Sequence, residues 1–110
     1  MKMIINEIAS KVKSVNVNEL NPRLNSINLI DIRQPNEYIN GHLPGAKNIP
    51  LEEILNKPER YLDKEKEYHI ICQSGNKSLT ACNELMKKGY KVVNVAEGTD
   101  GYMGALENKI

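Results

Sequence analysis

Three short apolar runs, the last two separated by one helix-length segment, constrain this chain more than any other feature. The run YHIIC covers residues 68–72 and KVVNV covers residues 91–95, and SLTACNELMKKG between them has apolar residues at helical spacing. A strand, a helix and a strand joined by short connections form a parallel pair with a crossover helix. Because NLIDI at residues 28–32 is a third such run, we predict an α/β domain with a mostly parallel sheet covered by helices on both faces.

Weaker local signals predict further elements. Val15 and Val17 alternate with polar residues, which indicates a short strand, and Asn18 is a candidate cap for a brief helix through ELNPRL. A stretch rich in Gly, Pro and Asn follows the first run and leads to a second helical pattern near residues 51–57.

The beginning of the chain fits the domain pattern less well. In MKMIINEIASKV the apolar residues recur at helical spacing, which fits a short amphipathic helix or a loosely held extension. We therefore divide the chain into a candidate N-terminal extension at residues 1–12 and a single domain at residues 13–110.

The composition excludes several classes of function. The chain has 110 residues, a net charge of +1, scattered lysine and glutamate residues, and no Trp or Phe, so we expect one domain and no nucleic-acid partner. No stretch reaches the roughly 20 apolar residues of a membrane span, and no signal-peptide pattern is present. We expect a cytoplasmic protein without membrane contact, a monomer or weak dimer, with Cys72 and Cys82 as free thiols. Two cysteines ten residues apart are a poor zinc set, and we expect no metal or other cofactor.

The residues after the second apolar run have the composition of an anion-binding loop. Ligands bind at the carboxyl ends of parallel strands, where Cys72 stands, and loop N–H groups above a helix start favour an anion there. We expect this setting to favour the thiolate of Cys72, Gly75 to give the backbone freedom, and Lys77 to add a positive charge. Ser78 is a candidate both for capping the helix and for donating a hydrogen bond to the sulfur or to a bound anion. The alternative is a core cysteine at the end of a buried strand.

Other side chains are candidates for support of this loop. His42 lies in a turn-rich segment, where a structural hydrogen bond is the favoured role, and His69 should point to the sheet face opposite the loop cysteine. Asp31 and Arg33 end the neighbouring strand, so we predict an ion pair that supports the loop, with substrate contact by Arg33 as the alternative. Cys82 lies among apolar helix residues and is predicted to be a packed, inert thiol.

Two separate motifs resemble signatures of the rhodanese-like domain family. LIDIRQPNEYINGHLPGAKNIP, residues 29–50, is similar to the first signature of the family, and IICQSGNKS, residues 70–78, resembles its active loop. VVNVAEG, residues 92–98, resembles the strand and turn that follow that loop. The resemblance runs in the correct order from about Val15 to Gly104, which is nearly the whole chain.

The resemblance implies a small fold with a five-stranded, mostly parallel sheet, and it implies sulfurtransferase chemistry. A donor such as thiosulfate would give its outer sulfur to Cys72, and the persulfide would pass that sulfur to cyanide, to a small thiol or to a protein acceptor. From their positions at the neighbouring strand end and turn, we add Arg33 to the substrate-binding residues, with Asp31 and His42 as structural support. The residues that would form the substrate cradle are Gln73, Ser74, Gly75, Asn76, Lys77 and Ser78.

The chain departs from the family pattern in two places. Lys77 stands where arginine is usual, and lysine cannot offer the bidentate grip of a guanidinium group. The usual GG…W pattern near the end is replaced by EGTDGYMGAL. Two alternatives stay open: a non-enzymatic binding or signalling module, and a phosphatase or arsenate reductase of the same fold. The phosphatases carry a loop one residue longer than the six residues from Cys72 to Lys77.

Overall fold

The structure, a computed structural model, describes residues 11–108, in which strands and helices alternate. The strands are β1 (Lys13–Asn16), β2 (Leu29–Asp31), β3 (Lys47–Asn48), β4 (Glu67–Ile71) and β5 (Lys91–Ala96). The α-helices are α1 (Pro35–Asn40), α2 (Leu51–Asn56), α3 (Asn76–Lys87) and α4 (Gly98–Gly101), and two 3-10 helices cover Val17–Ser26 and Pro58–Arg60. The three apolar runs are strands, and the segment between the last two is a helix, as predicted.

The described strands form one five-stranded sheet in the order β1-β5-β4-β2-β3, and every pair is parallel. The register places Asp31 beside Ile71 and Ile70 beside Asn94. The carboxyl ends of β2, β4 and β5 therefore lie at one edge, which brings the residues after each strand together. The predicted α/β architecture is confirmed.

Alternate residues of each strand supply two separate apolar layers, one on each face of the sheet. Ile70 and Val92 pack with α2 and α3 on one face, and Ile71 and Val95 pack with the first 3-10 helix on the other. Because side chains of a strand alternate between faces, a strand covered on both sides is apolar throughout. This explains why β4 and β5 are mostly apolar on both faces, although each contains one buried polar residue, His69 and Asn94.

The first 3-10 helix begins earlier than the sequence predicts. Asn16 is its cap, and the side chain of Asn16 accepts a hydrogen bond from the backbone N–H of Asn18 at 2.9 Å. The prediction that Asn18 caps this helix is therefore wrong. The Asn18 side chain instead donates to the carbonyl of Gly101 at 2.9 Å and accepts from the N–H of Met103 at 2.8 Å, which ties this helix to the C-terminal segment.

The predicted extension at residues 1–12 lies outside the described residues except for its last two. Of these, Val12 is buried and packs in the layer that contains α2 and α3. No helix within residues 11–108 is long and apolar enough to cross a membrane.

His69 is a buried imidazole on β4 whose environment disfavours its charged form. The residue is 4% exposed, and its Nδ1 has no hydrogen-bond partner among the described residues. Burial lowers the pKa of His69; the Glu67 carboxylate opposes this effect and the nearby Arg23 adds to it. Folding therefore favours the neutral imidazole.

We predict that His69 makes the protein less stable in mild acid. The pKa of His69 is lower in the folded chain than in the unfolded chain. Its contribution to the free energy of unfolding is therefore fully present above about pH 6.5 and is lost as the pH decreases toward the folded pKa. One such group changes the free energy of unfolding by at most about 1.4 kcal/mol per pH unit. Denaturant unfolding between pH 8 and pH 5 should show this slope, and His69→Gln should flatten it. Equal slopes for wild type and His69→Gln would contradict the prediction.

Candidate active site

The loop after β4 turns sharply into α3 at a glycine. Gly75 is the cap of α3 and has a φ of +98°, in the left-handed region that favours glycine. A Cβ atom at Gly75 would also lie 2.9 Å from the backbone nitrogen of Glu97. The prediction that Ser78 caps this helix is therefore wrong, because Ser78 is the third residue of α3 and is fully buried beneath the loop.

The sulfur of Cys72 is surrounded by hydrogen-bond donors from the start of α3. The backbone N–H groups of Gly75 and Ser78 each donate to Sγ at 3.2 Å. The Ser78 hydroxyl lies 3.3 Å from the same sulfur. Because the first N–H groups of a helix have no intrahelical acceptor and carry partial positive charge, this arrangement stabilises negative charge on Sγ.

A cavity of about 460 Å³ opens above this sulfur. It brings together most of the predicted site residues: Arg33, Cys72, Gln73, Ser74, Asn76 and Lys77. Gly75 and Ser78 do not line the cavity, and their backbone N–H groups contact the sulfur directly. The wall also contains Glu37 and Glu52, which were not in the predicted set. A larger groove of about 960 Å³ runs along β3, but none of the predicted site residues lines it. This groove is therefore separate from the candidate site around Cys72.

Asp31 and Arg33 form the predicted ion pair at the end of β2. Nη2 of Arg33 lies 2.8 Å from Oδ2 of Asp31, and both side chains are buried. Arg33 also donates to the carbonyl of Gly41 at 2.7 Å and, through Nη1, to Oε1 of Gln73 at 3.0 Å. The Nε of Arg33 also donates to Oδ1 of Asp31 at 3.0 Å. Together these contacts engage four of the five guanidinium N–H groups, so Arg33 holds the loop, and among the described residues one N–H on Nη1 has no partner.

His42 supports the turn before β3 and does not line the cavity. Its Nδ1 lies 2.8 Å from the carbonyl oxygen of Tyr38, and its ring stacks on that of Tyr38 with centroids 3.7 Å apart. Its backbone pairs with that of Glu107 through two hydrogen bonds of 2.8 Å. Glu37, which accepts from the backbone N–H of Gln34 at 3.1 Å, anchors the start of α1 in a similar way.

The helix α4 holds the backbone of the active loop in place, a feature that the sequence did not reveal. The N–H of Thr99 donates to the carbonyl of Cys72 at 3.0 Å, and the N–H of Asp100 donates to the carbonyl of Gln73 at 2.9 Å. A Cβ atom at Gly98 would lie 2.4 Å from the Cys72 carbonyl oxygen, so only glycine permits this approach. The sole signal in the sequence is a glycine shortly after an apolar run.

Cys82 is the packed thiol that the helix pattern predicts. It is fully buried in the same apolar layer as Cys72. Burial, with a smaller contribution from Cys72, raises the pKa of Cys82 to about 12. Cys82 therefore stays protonated and unreactive at neutral pH.

Several proteins with known names are similar to this chain over most of its length. A Bacillus subtilis protein named "Putative sulfurtransferase YtwF" is 41% identical over 81 residues, which cover 74% of this chain and 78% of that protein. A protein of Allochromatium vinosum named "Sulfurtransferase" is 33% identical over 96 residues, which cover 86% of this chain and 85% of that protein. "Putative sulfur carrier protein YrkF" of Bacillus subtilis is 33% identical over 105 residues; the match covers 92% of this chain but only 56% of YrkF.

Solved structures and the family pattern agree with these relatives. A rhodanese-like domain protein from Staphylococcus aureus has a TM-score of 0.79 and 29% identity, with 90% of this chain and 100% of that chain covered. The reduced CoADR-RHD protein of Bacillus anthracis has a TM-score of 0.74 and 38% identity, with 86% of this chain and 16% of that chain covered. The pattern of the rhodanese-like domain matches residues 16–105. With nine-tenths of the described fold and the whole cysteine loop inside that match, the chain belongs to the rhodanese-like domain family.

Proposed function

We propose that this chain is a sulfurtransferase that moves a sulfane sulfur from a donor such as thiosulfate to a thiol or cyanide acceptor through a persulfide on Cys72. The observation that carries the proposal is the pair of backbone N–H groups at 3.2 Å from Sγ, at the base of an open cavity. Membership of the rhodanese-like family and the relatives named sulfurtransferase support the same class of reaction.

The first step of the proposed reaction forms one S–S bond and breaks another. The Cys72 thiolate attacks the outer sulfur of thiosulfate, and the S–S bond of thiosulfate breaks with its electron pair on the departing sulfite. The outer sulfur stays on the enzyme as a persulfide, whose terminal atom carries negative charge. No general base is needed for the attack itself, because the thiolate form of Cys72 is the nucleophile and the N–H groups of Gly75 and Ser78 stabilise it.

The second step returns the enzyme to its starting state. An acceptor thiolate or cyanide attacks the terminal sulfur, and the electron pair of the S–S bond returns to Sγ of Cys72. The products are an acceptor persulfide or thiocyanate. Because the N–H groups of Gly75 and Ser78 are held in place by α3, they stabilise the thiolate leaving group without rearrangement.

The other cavity residues fit roles in binding. Lys77 and the free N–H of Arg33 supply positive charge for an anionic donor, while Gln73, Ser74 and Asn76 supply polar groups along the wall. Glu37 and Glu52 place negative charge on the same wall, which weakens the attraction for a dianion. We therefore propose that thiosulfate is bound with modest affinity.

The proposed setting is the reducing cytoplasm, in which Cys72 and Cys82 stay unpaired. The acceptor is a small thiol or a protein, and the relative named as a sulfur carrier supports a protein acceptor. We propose a monomer or weak dimer without nucleic-acid or membrane partners.

The first prediction concerns the persulfide itself. Incubation with thiosulfate should add one sulfur atom, roughly 32 Da, to the intact protein, because the Cys72 thiolate retains the sulfur after sulfite leaves. Cys72→Ala should show no gain, and the matched variant Cys82→Ala should behave as wild type. Absence of any gain with thiosulfate and with organic persulfide donors would favour a non-enzymatic module. Rapid hydrolysis of a phenyl phosphate ester would favour a phosphatase.

The second prediction concerns the lysine at the rim of the cavity. Lys77→Arg should lower the KM for thiosulfate about threefold, because a guanidinium group binds an oxyanion through two parallel hydrogen bonds and an ammonium group does not. Lys77→Met should raise the KM, and thiocyanate formation from thiosulfate and cyanide measures both. If neither variant changes the KM, Lys77 does not contact the donor.

A further inference from the structure

A chain of hydrogen-bonded polar groups extends from the sulfur of Cys72 through two buried residues to an exposed serine, Ser14, on the edge strand β1. Ser78 is fully buried and Asn94 is 3% exposed. The Ser78 hydroxyl lies 3.3 Å from Sγ of Cys72 and 2.5 Å from Oδ1 of Asn94. Nδ2 of Asn94 continues the chain to the hydroxyl of Ser14 on β1 at 3.4 Å.

Asn94 is the unusual member of this chain. It interrupts the apolar run of β5, and it lies on the same sheet face as Val92, which packs in the apolar layer with α3. Burying an amide there costs free energy unless its donor and acceptor are both satisfied. Asn94 satisfies them through Ser78 and Ser14, so it is placed to act on the hydroxyl that contacts the reactive sulfur.

The two protonation states of Cys72 require opposite directions of hydrogen bonding. When Cys72 is a thiol, its S–H donates to Ser78 Oγ, and the Ser78 hydroxyl donates to the carbonyl oxygen of Asn94. When Cys72 is a thiolate, the Ser78 hydroxyl must donate to the sulfur, and Ser78 Oγ then needs a new donor. An amide has a donor and an acceptor on one planar group, so rotation of Asn94 supplies that donor, and the Ser14 hydroxyl can pair with either end.

We propose that Asn94 is a positioning residue that acts through Ser78. Rotation of the Asn94 amide group allows the Ser78 hydroxyl to stabilise both the thiolate and the persulfide of Cys72. Neither an apolar residue nor an ionised carboxylate at this position could serve both states. The proposal rests on the proposed function for its purpose, but the reactivity of the thiol can be measured without any sulfur transfer.

The test is the pH dependence of Cys72 alkylation by iodoacetamide, followed by intact mass in a Cys82→Ala background. Ser78→Ala should lower the rate at pH 7 about tenfold, since a hydrogen bond to a charged group is lost. Asn94→Leu should lower it about threefold, since the Ser78 hydrogen bond loses its cooperative partner. Both variants should move the midpoint of the pH profile upward. In the double variant the rate should match that of Ser78→Ala within about twofold, because Asn94 acts through Ser78.

Val92→Ala is the matched control, since it removes apolar volume from the same strand and face. It should lower the unfolding temperature and leave the alkylation midpoint unchanged. If Asn94→Leu does not fold as wild type, Asn94→Ala makes the same comparison. An unchanged midpoint in the Asn94 variant, or a double variant that shows the product of the two single effects, would overturn the proposal. If both variants raise the alkylation midpoint as expected but the wild type forms no persulfide with any donor, the role of Asn94 is retained and the proposed function is rejected.

Discussion

The buried ion pair between Asp31 and Arg33 is the contact on which the geometry of the site most depends. It ends β2 beside the reactive strand, and from there Arg33 reaches both Gln73 in the active loop and the carbonyl of Gly41. Removal of either partner would leave an uncompensated charge in a dry environment. The pair therefore fixes one side of the loop, and the N-terminal turn of α4 fixes the other through the carbonyls of the loop.

With both sides fixed, the loop presents its N–H groups to one atom before any substrate arrives. The donors to the Cys72 sulfur come from Gly75 and Ser78, whose positions are set by the left-handed turn and by α3. Donors that are already oriented stabilise developing charge without the reorganisation that water would need. In the proposed reaction, the cavity brings a sulfur donor into line with this atom, and the mixture of Lys77 with Glu37 and Glu52 on its wall would set which donors bind.

Most of the fold could be predicted from sequence, because it follows from local periodicity. The runs at residues 68–72 and 91–95 and the helix between them require a parallel pair, and the structure has it. The candidate site was predictable where its residues are contiguous, as in the loop after Cys72. The helix start was placed wrongly because both a serine and a glycine are common at caps, and only the left-handed backbone of Gly75 decides between them. Thr99, Asp100 and Asn94 come from remote segments, so no local pattern could predict their contacts with the loop and with Ser78.

The position of β5 between β1 and β4 has a consequence for the order in which the domain can fold during synthesis. Cys72 precedes β5 and α4 in the chain, so during synthesis it appears before Thr99 and Asp100, whose N–H groups donate to the carbonyls of Cys72 and Gln73. Before β5 pairs with β4, these two hydrogen bonds cannot form and one side of the loop is not held. The geometry of the loop around Cys72 is therefore expected to be complete only after β5 and α4 have joined the rest of the domain.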